Sequence, residues 1–258
     1  MGRIAFISDI HGNLEALKAT LEDIKSRDVD YIVCLGDIIL KGSHSSECLQ
    51  LVKDNCDLVI QGNYGEGLGS VYSSDGLTEE EIDYVNNLPF SYDFYISGRR
   101  VRLFHSTPTN SFEYVSPFDD KKLVRELFLP SCRTEDGSPD VVVFGHIHLP
   151  FNIRMYNRTI VGVGSVGESV ELTSNPNFDG DPRETTCSNY VIMTGTLHKK
   201  DKFTSMSIEH IKVPYDIDKE LIDNRDENRE KCLRLGVYPS KDKVANYYRE
   251  NRGIILDD

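Results

Sequence analysis

Asp, His and Asn residues recur in this chain just after short apolar runs, at the places where a strand would give way to a loop. Asp9 and His11 lie in "SDIHGN", Asp37 in "LGDIILKG", Asn63 in "QGNYG", His105 in "LFHSTP", and His146 and His148 in "FGHIHLP". Each run would deliver its polar residue to the carboxyl end of a strand, so separate strands would aim these side chains at one place. Seven donors exceed what one metal ion needs. Imidazole and carboxylate without thiolate suit manganese, iron, zinc or cobalt, and an amide oxygen favours the harder of these. Two such ions about 3.5–4 Å apart, bridged by a carboxylate, form a clamp for in-line displacement at phosphorus. Asp37 is the natural bridge.

The elements needed to position these residues are legible. "RIAFIS" reads as a strand, followed by "NLEALKATLEDIKSR", in which Leu14, Leu17, Leu21 and Ile24 fall at helical spacing behind an Asn13 cap. A strand "YIVCLG", a helix "SSECLQLVKD" and a strand ending before Gly62 continue the alternation of an α/β domain. "EEEIDYVNNLP" reads as a short helix, "YDFYIS" and "RRVRLFHS" as strands turning at Gly98, and "DDKKLVRELFL" as a helix. "DVVVFG", "FNIRMY", "TIVGVG", "NYVIMTG" and "FTSMSIEHI" make the second half strand-rich. Two packed sheets with helices outside are expected. The 168–188 segment is polar and turn-rich, longer than most connections. The tail from Asp216 carries an amphipathic pattern in Leu221, Ile222, Leu233 and Leu235.

The ordered series D-x-H, G-D, G-N, H and G-H-x-H resembles the calcineurin-like metallophosphoesterase superfamily, in particular its small bacterial branch. That resemblance implies an α/β fold built as a four-layer αββα sandwich of two mixed sheets. It implies a 1–213 catalytic domain with a 214–258 C-terminal helical extension packed on it. It implies two divalent ions, manganese favoured, with Asp9, His11, Asp37 and His148 around one and Asp37, Asn63, His105 and His146 around the other. The implied reaction is hydrolysis of a phosphodiester or phosphoanhydride by in-line attack of a metal-bridging hydroxide, with Asp37, Asn63 and His105 nearest the chemistry.

Where many superfamily members read G-N-H-[DE], with the His proposed to protonate the leaving oxygen, this chain reads "GNYGEG". Tyr64 and Gly65 remove that acid and its orienting carboxylate. The tail segments "VPYDIDKEL" and "LGVYPS", with an aromatic residue at the Tyr64 position, are similar to bacterial relatives of which some cleave diadenosine tetraphosphate. Tyr64 is thus a residue to stack on a base. Arg183 in "DGDPR" is a residue to reach a phosphate oxygen, although "GVGSVG" departs from the family's N-P-G-S-[VI]-G before it. His44 occupies a loop in which the family sometimes places a substrate-facing side chain. A phosphomonoesterase or protein phosphatase, and a non-catalytic scaffold of the same fold, are the alternatives.

Composition narrows the partners. A net charge of −13 over 258 residues opposes general nucleic-acid binding, so a phosphorylated small molecule or nucleotide is the expected substrate. The basic runs "GRRVR" and "HKKDK" are expected to be solvated strand ends. Six cysteines without C-x-x-C spacing, no membrane-spanning run and no signal-like amino end predict a cytoplasmic protein. Oligomeric state has no signal.

Overall fold

The computed structural model describes residues 1–63, 76–116, 119–131, 137–155, 157–170, 187–223 and 227–235. The first sheet contains β1 (Gly2–Ile7), β2 (Tyr31–Cys34), β3 (Leu58–Val59), β9 (Cys187–Gly195) and β10 (Ser207–Pro214), in the order β10-β9-β1-β2-β3. The second contains β4 (Ser91–Ile96), β5 (Arg99–Phe104), β6 (Val141–Phe144), β7 (Pro150–Met155) and β8 (Arg158–Val163), in the order β4-β5-β6-β8-β7. Both sheets are mixed. β1, β2 and β3 run parallel in one, and β5, β6 and β8 run parallel in the other.

The layering follows from side-chain alternation along the strands. Ile4 and Phe6 of β1, Val191 and Met193 of β9, Val101 and Leu103 of β5, and Val141 and Val143 of β6 meet in one apolar layer between the sheets. Ala5 and Ile7, with Tyr190 and Ile192, face the other way. They pack against α1 (Leu14–Lys25) and α2 (Ser45–Asn55) through Ala16, Leu17, Leu21, Ile24, Cys48, Leu49 and Val52. On the far side Phe104, Val142, Phe144 and Ile160 pack against Val124 and Leu127 at α4 (Lys121–Glu126). Three apolar layers thus separate four layers of structure, the αββα sandwich expected from the sequence. α3 (Glu79–Asn86) opens on a capping box between Thr78 and Glu81.

α1 begins where the sequence suggests. The Asn13 side chain accepts from the Ala16 amide at 3.1 Å, while its own amide group donates to Gly167 O and to Tyr215 Oη. One cap therefore ties the helix to the loop after β8 and to the segment after β10. The chain continues into α5 (Ile217–Glu220) and α6 (Glu227–Leu235). Of the apolar tail residues, Leu221 and Leu233 are buried but Ile222 is 74% exposed. α5 is only one turn long, too short to hold a continuous apolar face. No helix among the described residues is long and apolar enough to cross a membrane.

The "GRRVR" run is not a solvated end. Arg102 is fully buried on β5 and binds Asp93 of β4 through Nε–Oδ1 at 2.9 Å and Nη2–Oδ2 at 2.9 Å. Arg100 joins the same carboxylate at 2.6 Å. Arg102 also donates to Leu129 O at 2.7 Å and Gly137 O at 3.1 Å. The "HKKDK" run does lie in an exposed turn before β10, although its Lys199 is half-buried.

Candidate metal centre

The parallel strands of both sheets end on one edge, the location where α/β proteins bind ligands. Beyond β1 and β2 the two loops are stitched together. Asp9 N–H donates to Gly36 O, Ile10 and His11 N–H both donate to Asp37 O, and Gly12 N–H donates to Ile38 O. The second sheet joins through its own loops. Gly145 N–H donates to His105 O at 2.9 Å, and His146 N–H donates to Asp9 Oδ2 at 2.9 Å.

This stitching forces unusual backbone. Asp9, His11, Asp37, His146 and His148 have φ of 54°, 51°, 51°, 62° and 58°. Such left-handed conformations disfavour side-chain-bearing residues and gather at functional sites, where surrounding structure over-determines them. Two glycines allow the close approach. A Cβ on Gly62 would overlap the Asp37 carboxylate, and one on Gly145 would overlap Ser8 Oγ and Asp9 Oδ2.

All seven sequence-predicted donors meet here. Asp9, His11 and His148 form one buried triad, and Asp37, His105 and His146 another, with ligand atoms within 4.8 Å of one another in each. His11 Nε2 and His148 Nε2 approach to 3.0 Å, and His148 Nε2 lies 3.2 Å from Asp9 Oδ1. Asp37 Oδ2 stands 3.3 Å from His105 Nε2 and 3.9 Å from His11 Nε2, facing both triads. The Asn63 amide head lies 2.9 Å from His105 Nε2 and 3.2 Å from His146 Nδ1. With its nitrogen turned inward it donates to Asp37 Oδ2 at 2.7 Å, and with its oxygen inward it offers a donor atom to a cation.

The ring orientations suit metal ligation. His105 Nδ1–H donates to Leu35 O at 2.7 Å and His148 Nδ1–H to Glu168 O at 2.8 Å. A carbonyl can only accept, so Nδ1 carries the proton and Nε2 is directed into the cluster, as metal-binding imidazoles are usually held. Asp9 Oδ1 and His146 Nε2 are buried with no hydrogen-bond partner among the described residues. Orphaned buried polar atoms are costly, and a cation would satisfy both.

Charge states are set by the same crowding. Burial pushes the Asp9 carboxyl up, but the neighbouring His148 and His105 imidazoles outweigh it and hold it below the usual carboxylate range. Burial pulls His105 down, but the Asp37 and Asp9 carboxylates raise it to about 9. Burial, then Lys41 and neighbouring imidazoles, keep His11 well below the ordinary histidine range; burial and His105 do so for His146. His11 and His146 are therefore already in the neutral form that a metal requires. The donor set and its geometry fit two divalent cations.

Residues 2–161 match the family described as calcineurin-like phosphoesterase. The chain belongs to that family. It is 30% identical over 237 residues to an uncharacterised protein of Methanocaldococcus jannaschii, covering 84% of this chain and 89% of the relative. The fold is similar to that of a metallophosphoesterase from Sphaerobacter thermophilus, with a TM-score of 0.66 at 23% identity, covering 92% of this chain and 99% of the other. It is also similar to a hypothetical protein from Pyrococcus horikoshii, with a TM-score of 0.65 at 16% identity and the same two coverages.

The remaining expected residues lie apart or outside. His44 is the N-cap residue of α2, its ring 3.4 Å from both Glu47 Oε1 and Asp223 Oδ2. Tyr64 and Arg183 lie outside the described residues, as do Gly65, Glu66, the greater part of the 168–188 segment and the tail beyond 235. Several residues at this calcineurin-like centre carried no signal of their own in the sequence. Lys41 Nζ lies 3.3 Å from His11 Nε2 and 2.8 Å from Glu168 Oε2. Ser165 Oγ donates to Asp9 O at 2.7 Å, and Arg229 approaches Glu168 at 3.7 Å. Lys41 and Ser165 sit inside the quoted runs "LGDIILKG" and "GVGSVG", so proximity to a motif was the available clue.

Proposed function

We propose that this protein is a hydrolase dependent on two divalent ions, manganese favoured, acting on phosphodiester or phosphoanhydride bonds of a nucleotide or other phosphorylated small molecule. Dinucleoside polyphosphates are among the substrates that fit, and the cytoplasm is the compartment that suits the free thiols of Cys34, Cys48 and Cys56. The observation that carries this reading is Asp37 Oδ2, one carboxylate oxygen facing His11 on one side and His105 on the other. When bound, two such ions would supply a hydroxide nucleophile at neutral pH and neutralise charge on phosphoryl oxygens.

The chain's own residues fix the rest. Leu35 O and Glu168 O hold the His105 and His148 rings in register, so the donor array needs little rearrangement to accept ions. Asn63 and His105 flank Asp37 on the side of the second triad, where the scissile phosphoryl group would be oriented. Tyr64 in place of a histidine takes away a general acid at the next position, which favours leaving groups that depart without a proton, such as nucleotides or aryloxides. Tyr114, about half exposed, stands edge-on to His146 with ring centroids 6.3 Å apart, an aromatic surface suited to a base or aryl group.

The test is hydrolysis of bis-p-nitrophenyl phosphate by purified protein with Mn²⁺. Asp37→Asn and His146→Ala should each abolish turnover while the protein stays folded. Metal uptake without turnover of any ester or anhydride would instead favour a scaffold. A panel of diadenosine tetraphosphate, cyclic nucleotides and phosphoserine peptides then separates substrate classes, and a strong preference for the peptides would overturn the leaving-group argument.

A further inference from the structure

Arg229 belongs to α6 in the C-terminal segment, yet its side chain is almost fully buried. Its guanidinium spans two carboxylates. Nη2 donates to Glu220 Oε1 at 3.0 Å, and Nη1 lies 3.7 Å from Glu168 Oε1. Glu220, the last residue of α5, is fully buried, and its Oε2 accepts from the Glu15 N–H in the first turn of α1 at 3.3 Å. Ion pairs this far from water carry a desolvation cost, and apolar side chains of similar volume often serve stability as well or better. Docking α6 on the domain does not by itself call for them.

What the pairs reach is the metal centre. The main chain of Glu168 is tied to the first triad: its N–H donates to Ser165 Oγ at 2.7 Å, and its carbonyl accepts the His148 Nδ1 proton at 2.8 Å. Val170 N–H returns to His148 O at 3.3 Å, and Ser165 Oγ donates to Asp9 O at 2.7 Å. The backbone of residue 168 therefore orients a donor imidazole while its carboxylate is gripped from outside, Oε2 by Lys41 at 2.8 Å and Oε1 by Arg229. A path of polar contacts runs from His148 through Glu168 and Arg229 to Glu220. In the second triad His105 rests instead on Leu35 O, just after β2 and inside the domain.

We propose that Arg229 is a positioning residue for the first triad: by fixing Glu168 it holds the carbonyl that orients His148, so that docking of α6 and ion binding at Asp9, His11 and His148 reinforce each other. This rests on the two-ion part of the reading above. Linkage makes the effect reciprocal, since whatever α6 contributes to ion binding the ion returns to α6. Charge alone would act in the opposite sense, because a guanidinium near the triad repels a cation there. The sign of the effect therefore separates position from charge.

The test measures Mn²⁺ binding by calorimetry to metal-stripped wild type, Arg229→Lys and Arg229→Met. Lysine keeps the charge but is a single point donor that cannot span both carboxylates. Outer-shell partners of a metal ligand are typically worth about 10–100-fold in affinity, and Arg229 acts one contact further out, so both variants should weaken one of the two sites by about tenfold and leave the other unchanged. Amide exchange of the unmodified protein gives the reciprocal reading: Mn²⁺ should slow exchange in α6 relative to EDTA. Exchange in α6 that ignores Mn²⁺ overturns the proposal without recourse to any variant. Wild-type affinity in Arg229→Lys, or tighter binding in Arg229→Met, overturns it in favour of a role through charge, and equal weakening of both sites overturns it in favour of a general loss of structure. If wild type still cleaves bis-p-nitrophenyl phosphate, any of these results leaves the hydrolytic reading standing, whereas a wild type that takes up no Mn²⁺ sinks both readings together.

Discussion

Five of the seven donors are held in left-handed backbone, and none of the five is glycine. Asp and His tolerate that region better than β-branched residues, yet the cost is still on the order of 1 kcal/mol each. The D-x-H and G-H-x-H spacings acquire a physical meaning from this. In each, two left-handed residues separated by one buried isoleucine turn both polar side chains inward while Ile10 or Ile147 anchors the loop in an apolar layer. Immediately after Asn63 the chain carries Tyr64 in place of the histidine of G-N-H-[DE], the residue that the proposed function reads as a lost general acid. General acid catalysis is typically worth ~10²–10⁴ in rate, most of it for poor leaving groups. Tyr64→His should therefore raise phosphomonoester turnover relative to phosphoanhydride turnover, measured as the ratio of the two kcat/KM values. An unchanged ratio would count against the leaving-group argument.

Between β4 and β5, Asp93 pairs directly with Arg102 in the antiparallel register and also receives Arg100. Removing the carboxylate would leave two guanidinium groups facing each other in a buried position. Asp93→Asn is expected to cost about 3–5 kcal/mol, read by urea unfolding, whereas Arg102→Met should cost less because Asp93 keeps Arg100. The opposite order would show that Arg102's bonds to Leu129 O and Gly137 O matter more than the ion pair. This pair also shows what the sequence could and could not convey. A turn at Gly98 already implies that Asp93 faces Arg102, so the partner was legible. The burial was not, since it depends on the distant Leu129 and Gly137, whose carbonyls meet Arg102. The metal donors were readable for the converse reason: each follows its own strand, and the parallel direction of those strands brings them together without any further information. Lys41 and Glu168 were not readable as a pair, because they are 127 residues apart and meet only through the strained turn at Leu40.

At the scale of the molecule, the centre sits where the two sheets meet. Asp9, His11, Asp37 and Asn63 come from loops of the first sheet, and His105, His146 and His148 from loops of the second. Polar contacts already cross or brace this seam, among them those from His105 to Leu35 O, from His146 N–H to Asp9, from Ser165 to Asp9 O and from His148 to Glu168 O. Ions bound to such a set would crosslink the sheets, and anything that binds the folded state alone stabilises it by mass action. At metal concentrations a hundredfold above Kd the gain is about 2.7 kcal/mol per site. For a chain of this size that corresponds to a rise in Tm of roughly 5–10 °C per site, about 10–20 °C for two. Thermal unfolding with Mn²⁺ and with EDTA should show that difference, and His146→Ala should lose a large part of it. Because the crosslink joins both sheets, amide exchange should slow in β1 and β6 alike. Protection confined to one sheet, or metal uptake without any rise in Tm, would place the ions somewhere other than this seam.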